Sequence, residues 1–181
     1  MTTKEKLWTY EDYLRLEDDR RYEVLEGELV EMPAPSLKHQ KVSVKLLHRL
    51  LIYLQERQTG SIFHAPVDVV LSERLVVQPD IIFVSKERED ILQERAVFGA
   101  PDLVVEIVSP STFKRDVEDK RKLYARYGVK EFWLVLPEER VIEVLVLKGQ
   151  EYEVFSHAYE KGKVCSKLLE GFCVALEEVF L

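Results

Sequence analysis

The sequence predicts an α/β fold, a mixed α+β arrangement of helices layered on a central sheet, within one domain spanning residues 1–181. Three observations carry that expectation. Two stretches, 36–58 and 111–127, have the apolar spacing of amphipathic helices. Three β-branched runs, 62–71, 76–84 and 102–109, have strand length, and "EFWLVL" at 131–136 is a fourth. Their order is helix, three strands, helix, strand, with an N-terminal hairpin in front and a C-terminal β-meander behind.

Taken in order, Thr9 followed by Asp12 caps a short helix reaching about Leu16. "RYEVLEGELVEM" reads as two strands turning at Glu26-Gly27. "PAPS" breaks the chain, and Ser36 caps a helix that runs to Gln58 with Val44, Leu47, Leu50, Leu51 and Leu54 on one face. After the strand runs, "STFKRDVEDKRKLYARYG" is a helix closed by Gly128, and Pro137 stops the strand that follows.

Composition narrows the classes. Charged residues make up 33% and hydrophobic ones 46%, enough apolar surface for a packed core. No run approaches the roughly 20 apolar residues of a membrane span, and "MTTKEKLWTYEDYL" lacks the apolar centre of a signal peptide. Cys165 and Cys173 read as buried free thiols of a reducing compartment rather than a disulfide, so the expected location is cytoplasmic. The net charge of −7 argues against an indiscriminate nucleic-acid coat. Positive charge is gathered instead on segment 36–60, with five cations against one acid, and on 114–130, with seven against three. Two readings of these segments stay open, a phosphate track and a pair of solvated helix faces.

The chemistry centres on Glu106. Alternation along 102–108 leaves both strand faces apolar except for this one acid, and a carboxylate in such a strand must be paired, protonated or bound to a cation. Asp102 lies about 13 Å along the same strand, so the partner comes from elsewhere. Asp80, in "VVQPDIIFV", is the candidate, on a run where Pro79 marks a bulge or strand end. Neighbouring strands about 4.8 Å apart let two such acids share Mg²⁺ or Mn²⁺. Lys120 falls inside the inward stripe of Phe113, Val117, Tyr124 and Tyr127. Its ammonium either snorkels to the edge or reaches the two acids. No GxSxG, P-loop, GxGxxG or paired CxxC is present.

The blocks "YEVLEGELVEMPAPSLKHQ", "QPDIIFVS", "APDLVVEIVSPST" and "DVEDKRKLYARYGVKEFWLV", together covering about residues 7–137, are similar to the Uma-type family of putative restriction endonucleases within the PD-(D/E)xK nuclease superfamily. The resemblance implies a restriction-endonuclease-like core and Mg²⁺-dependent phosphodiester hydrolysis, with Asp80 and Glu106 as metal ligands. It implies that Lys120, on the following helix, replaces the lysine expected where Val108 stands, and that Glu23 is an extra acid near the metal. Leu136 departs from the family's Asp-Pro pattern. His39 and Gln40, opening the long helix, are candidates to touch substrate or a bound water.

The expected function is therefore a metal-dependent DNA endonuclease with Asp80, Glu106 and Lys120 as catalytic residues. The alternatives are an inactive nuclease fold kept as a DNA-binding or interaction module, and a carboxylate-pair glycosidase. Cutting both strands of a duplex is simplest for a homodimer, for which the C-terminal strands offer an interface.

Overall fold

The structure, a computed structural model, describes residues 6–181, so the first five residues of the N-terminal stretch lie outside it. Helix α1 (Tyr10–Tyr13) starts at the Thr9–Asp12 capping box but stops at Leu14, short of Leu16. Strands β1 (Tyr22–Leu25) and β2 (Glu28–Glu31) form the expected hairpin. Glu26 and Gly27 both have positive φ, 54° and 87°, which gives a two-residue turn the twist that hairpins need.

Ser36 caps α2 (Leu37–Arg57) by accepting the His39 amide, and Gln58 ends it in the left-handed conformation. The buried face differs from the expected one. Val42, Leu46, Leu50, Tyr53 and Leu54 point inward, whereas Val44 is 60% and Leu51 47% exposed. The helix carries more apolar residues than one face can hold, and the inward set is the one starting at Val42.

Two of the three expected strands divide. The run 62–71 separates into β3 (Gly60–His64) and β4 (Val69–Ser72) around the cis Ala65-Pro66 bond. The run 76–84 separates into β5 (Leu75–Val77) and β6 (Ile81–Ser85) around Pro79. A proline cannot donate to a ladder, and at both places the chain changes sheets. There are accordingly two main sheets rather than one. With β7 (Val97–Phe98), β8 (Leu103–Ile107), β9 (Glu131–Leu136), β10 (Val141–Lys148) and β11 (Glu151–Tyr159), the central sheet runs β11-β10-β9-β8-β6-β3 and the second sheet β2-β1-β5-β4-β7. Strand β8 pairs parallel with β9 and antiparallel with β6, and every one of its residues is buried.

The second long helix also departs from expectation. Arg115–Asp119 forms a π-turn, and only then does α3 (Lys120–Tyr127) begin, ending at Gly128 with φ 82°. The wide turn takes up an extra residue, so Phe113 no longer shares the inward stripe and is 45% exposed. The meander closes with β12 (Lys163–Cys165), β13 (Cys173–Ala175) and α4 (Leu176–Phe180). Cys165 and Cys173 are cross-strand partners with Cα atoms 4.0 Å apart, and they form a disulfide rather than the expected free thiols.

The central sheet is packed on both faces. On one, Ile81, Phe83, Val105 and Trp133 meet α2 and α4. On the other, Ile82, Val104, Val108 and Phe132 meet Leu123 and Tyr124 of α3 and Val69 and Val77 of the second sheet. Glu106 lies on this second face, between the two sheets. No helix among the described residues is long and apolar enough to cross a membrane.

Candidate active site

The antiparallel register of β6 and β8 pairs Ile81 with Val105, and one step further it sets Asp80 opposite Glu106. Asp80 stands where the chain crosses between sheets. Its Oδ2 accepts the Ile107 amide at 2.7 Å, and His39 from the first turn of α2 lies 3.2 Å away. The two acids are thus held at one end of adjacent strands, facing the same space.

The second sheet contributes Glu23 from β1, which is fully buried. Its Oε1 accepts the Gln78 amide at 2.8 Å and sits 2.7 Å from Lys120 Nζ. The Gln78 side chain is held in turn by Arg21, Tyr13 and Asp68. Helix α3 brings Lys120, fully buried, whose ammonium also lies 3.0 Å from Glu106 Oε1 and 3.6 Å from Asp116 Oδ1. Tyr124 donates to the same Glu106 oxygen at 2.5 Å. The lysine reaches the acids instead of snorkelling to the edge.

Burial drives the electrostatics. It pushes Glu106 well above the usual carboxylate range, against the pull of Lys120. Asp116 is raised for the same reason. Burial alone would lower Lys120, but Glu106, Glu23 and Asp116 outweigh it and hold the ammonium above its ordinary pKa. Burial and Glu106 together raise the Tyr124 phenol, keeping it a donor. Burial would lower His39, and the hydrogen bond to Asp80 reverses the sign.

A cavity of about 500 Å³ opens onto this cluster, with Asp80, Glu106 and Asp116 on its floor and His39, Gln40 and Ser109 among its walls. The six residues expected from sequence therefore divide clearly. Glu23, Lys120 and Glu106 form one bonded set, His39 is paired with Asp80 opposite Glu106, and Gln40 lines the wall. Sequence reasoning missed Asp116 and the hydroxyl of Tyr124. Asp116 stands four residues before Lys120, the spacing of an ion pair on a helix, and that was the available signal. Asp102 lies at the far end of β8, where Ser85 N, Arg88 and Lys130 hold it in a separate cluster.

The donor set fits a hard divalent cation. Glu23 Oε2 and Asp116 Oδ1 are buried with no hydrogen-bond partner among the described residues. Three carboxylates, Glu23, Glu106 and Asp116, face the cations Lys120 and Arg115, and Asp80 stands beside them paired with His39. All the acids offer oxygen, which suits Mg²⁺ or Mn²⁺ over softer metals. Among the described residues no three His, Cys, Asp or Glu side chains are arranged as a complete cage. Mg²⁺ commonly binds through one or two carboxylates, with water and substrate phosphate filling the rest.

The basic stretches are largely occupied within the molecule. Lys38 pairs with Glu138, Arg49 with Glu178, Arg126 with Glu26 and Lys130 with Asp102. With Arg57, Arg115 and Lys120 also paired, seven of the twelve cations on the two segments have acidic partners, and both readings of these segments stay open.

No curated protein matches the chain. A crystal structure from Anabaena variabilis ATCC 29413, described as a putative nuclease belonging to DUF820, is 21% identical and superposes with a TM-score of 0.78 over 95% of this chain and 97% of that one. At that identity the likeness establishes the fold. The model of the Uma2 family, described as "Putative restriction endonuclease", matches residues 10–177. With nearly its whole length matched and the fold shared, the chain belongs to the Uma2 family of putative restriction endonucleases.

Proposed function

We propose that the protein is a divalent-metal-dependent phosphodiesterase acting on nucleic acid, with DNA the expected substrate. The observation that carries this is the meeting of Asp80 and Glu106 on one cavity, with Lys120 buried behind them against Glu106. Asp80 and Glu106 would hold Mg²⁺ or Mn²⁺. Such an ion, when bound, supplies a water of lowered pKa and offsets charge on the scissile phosphate.

The chain's own groups do the rest. The Ile107 amide and His39 fix the Asp80 carboxylate, and Tyr124 and Lys120 fix Glu106. Lys120 stays protonated because three carboxylates surround it, so it is a hydrogen-bond donor and a fixed positive charge rather than a general base. Its role is to stabilise charge developing on the phosphoryl oxygens as the water oxygen bonds to phosphorus and the bond to the leaving sugar oxygen breaks. Glu23 positions that ammonium, and the Gln78 amide positions Glu23.

The test is cleavage of a labelled oligonucleotide by the purified protein with and without Mg²⁺ or Mn²⁺. Asp80→Asn and Glu106→Gln are expected to reduce divalent-dependent cleavage at least about a hundredfold, the scale seen when one electrostatic stabiliser is lost. Cleavage at the parental rate by both variants would overturn the assignment. Binding of nucleic acid with no cleavage in either metal would favour the inactive module instead.

A further inference from the structure

We propose that the substrate is a single-stranded nucleic acid, entering the cavity as an unstacked strand rather than lying across it as a duplex; this rests on the nuclease reading above. Three independent features of the cavity lead there.

The first is depth. Glu106 is only 3% exposed and Lys120 not at all. Walls rise around Glu106 and Asp80 from separate segments: Met32–Ser36, His64–Pro66 and Ser109–Thr112. The cavity of about 500 Å³ has the scale of a small-molecule site. A phosphate on a duplex is tied to a stiff, wide cylinder and stays at the rim. A phosphate on a flexible single strand can descend to the floor.

The second is charge. A duplex presents one negative charge per about 1.7 Å, and proteins that grip it array unpaired cations along the contact. Here the rim cation Lys38 is tied to the rim acid Glu138 at 2.7 Å, and Arg21 is engaged by Gln78. The protein as a whole carries −7. The mouth is therefore suited to few phosphates at a time.

The third is a pair of exposed apolar side chains next in sequence to the wall: Leu37 follows Ser36 and is 89% exposed, and Phe113 follows Thr112 and is 45% exposed. An unstacked base can lie against such groups, whereas a duplex keeps its base faces stacked internally. These two side chains would form a landing surface for bases on either side of the phosphate being cut.

The experiment compares one sequence as single-stranded DNA, single-stranded RNA and duplex DNA. Binding is read by fluorescence anisotropy and cleavage in Mg²⁺ or Mn²⁺. Single strands are expected to bind at least about tenfold tighter than the duplex and to be cut faster, with the two single-stranded arms identifying the preferred sugar. Phe113→Ala, an exposed position, is expected to weaken single-strand binding about fivefold or more, the scale of one lost stacking contact. A duplex bound or cut as well as the single strand would overturn the proposal while leaving the nuclease reading intact. Unchanged single-strand affinity in Phe113→Ala would also overturn it, by removing the base contact. No divalent-dependent cleavage of any of the three would remove both readings.

Discussion

Lys120 Nζ lies 2.7 Å from Glu23 Oε1, joining the helix behind the central sheet to a strand of the second sheet through two fully buried side chains. Neither residue could be buried alone. Their contact, shared with Glu106 and Asp116, makes the candidate site part of the framework as well as a place for chemistry.

Lys120→Met should therefore cost stability as well as activity. Removing the ammonium strands three carboxylates in a low-dielectric space, a loss of about 3–5 kcal/mol. Chemical denaturation at neutral pH checks this, and added Mn²⁺ should return part of the lost stability. An unchanged denaturation midpoint would show that the ammonium does not hold the cluster.

Asp102→Asn tests the opposite end of β8. Burial would raise the Asp102 pKa, but Lys130, the Ser85 amide and Arg88 lower it overall. A carboxylate with a lowered pKa stabilises the fold above its unfolded value, near 4, and that contribution disappears as pH falls through the folded value. The variant should lose about 1–2 kcal/mol at pH 7, a figure kept modest because Arg88 and Lys130 reach in from solvent and are screened. The gap between variant and parent should narrow as pH falls toward about 3. A gap that stayed constant across that range would contradict the ion-pair account.

Gly60→Ala should destabilise through shape alone. A Cβ there would meet the Val84 carbonyl oxygen at 2.2 Å and the Phe83 ring at 2.8 Å. Relief requires β3 to move away from β6, at about 1–3 kcal/mol. Thermal unfolding measures it, and a melting temperature equal to the parent's would count against this close approach.

Glu131→Ala should loosen the C-terminal segment. The buried carboxylate accepts from Trp133, Ser166 and the amides of Lys167 and Leu168. Losing it leaves several buried donors unmatched, at about 3 kcal/mol or more. Hydrogen exchange should quicken first at residues 166–169, and Glu131→Gln should retain part of the protection. Uniform exchange rates across the chain in both variants would argue against a local role.

The order of elements was legible because turn residues and apolar period agree along most of the chain. Asp80 and Glu106 were legible because each is an acid in an apolar strand, a cost that asks for a reason. Glu23 was visible only through resemblance, since a glutamate in a short hairpin strand looks solvated until α3 lays Lys120 over it. The division into two sheets was hidden because the runs 62–71 and 76–84 read as continuous through Pro66 and Pro79, and a bulge or strand end at Pro79 does not say that the chain changes layers there. Asp116 escaped although its spacing sets it about 40° from Lys120, because an acid at the flank of an amphipathic stripe reads as solvated until the lysine beside it is known to be buried.

The π-turn at Arg115–Asp119 sets helix regularity against the placement of Asp116. Deleting a single residue from 115–119 would let the segment close into ordinary α geometry, while Leu123 and Tyr124 stayed anchored on the sheet. Such a shortened chain would gain a more regular helix. It would also rotate everything upstream of Lys120, carrying Asp116 and the Ser109–Thr112 wall away from Glu106. The extra residue thus exchanges regularity of the helix for the position of Asp116 beside Lys120.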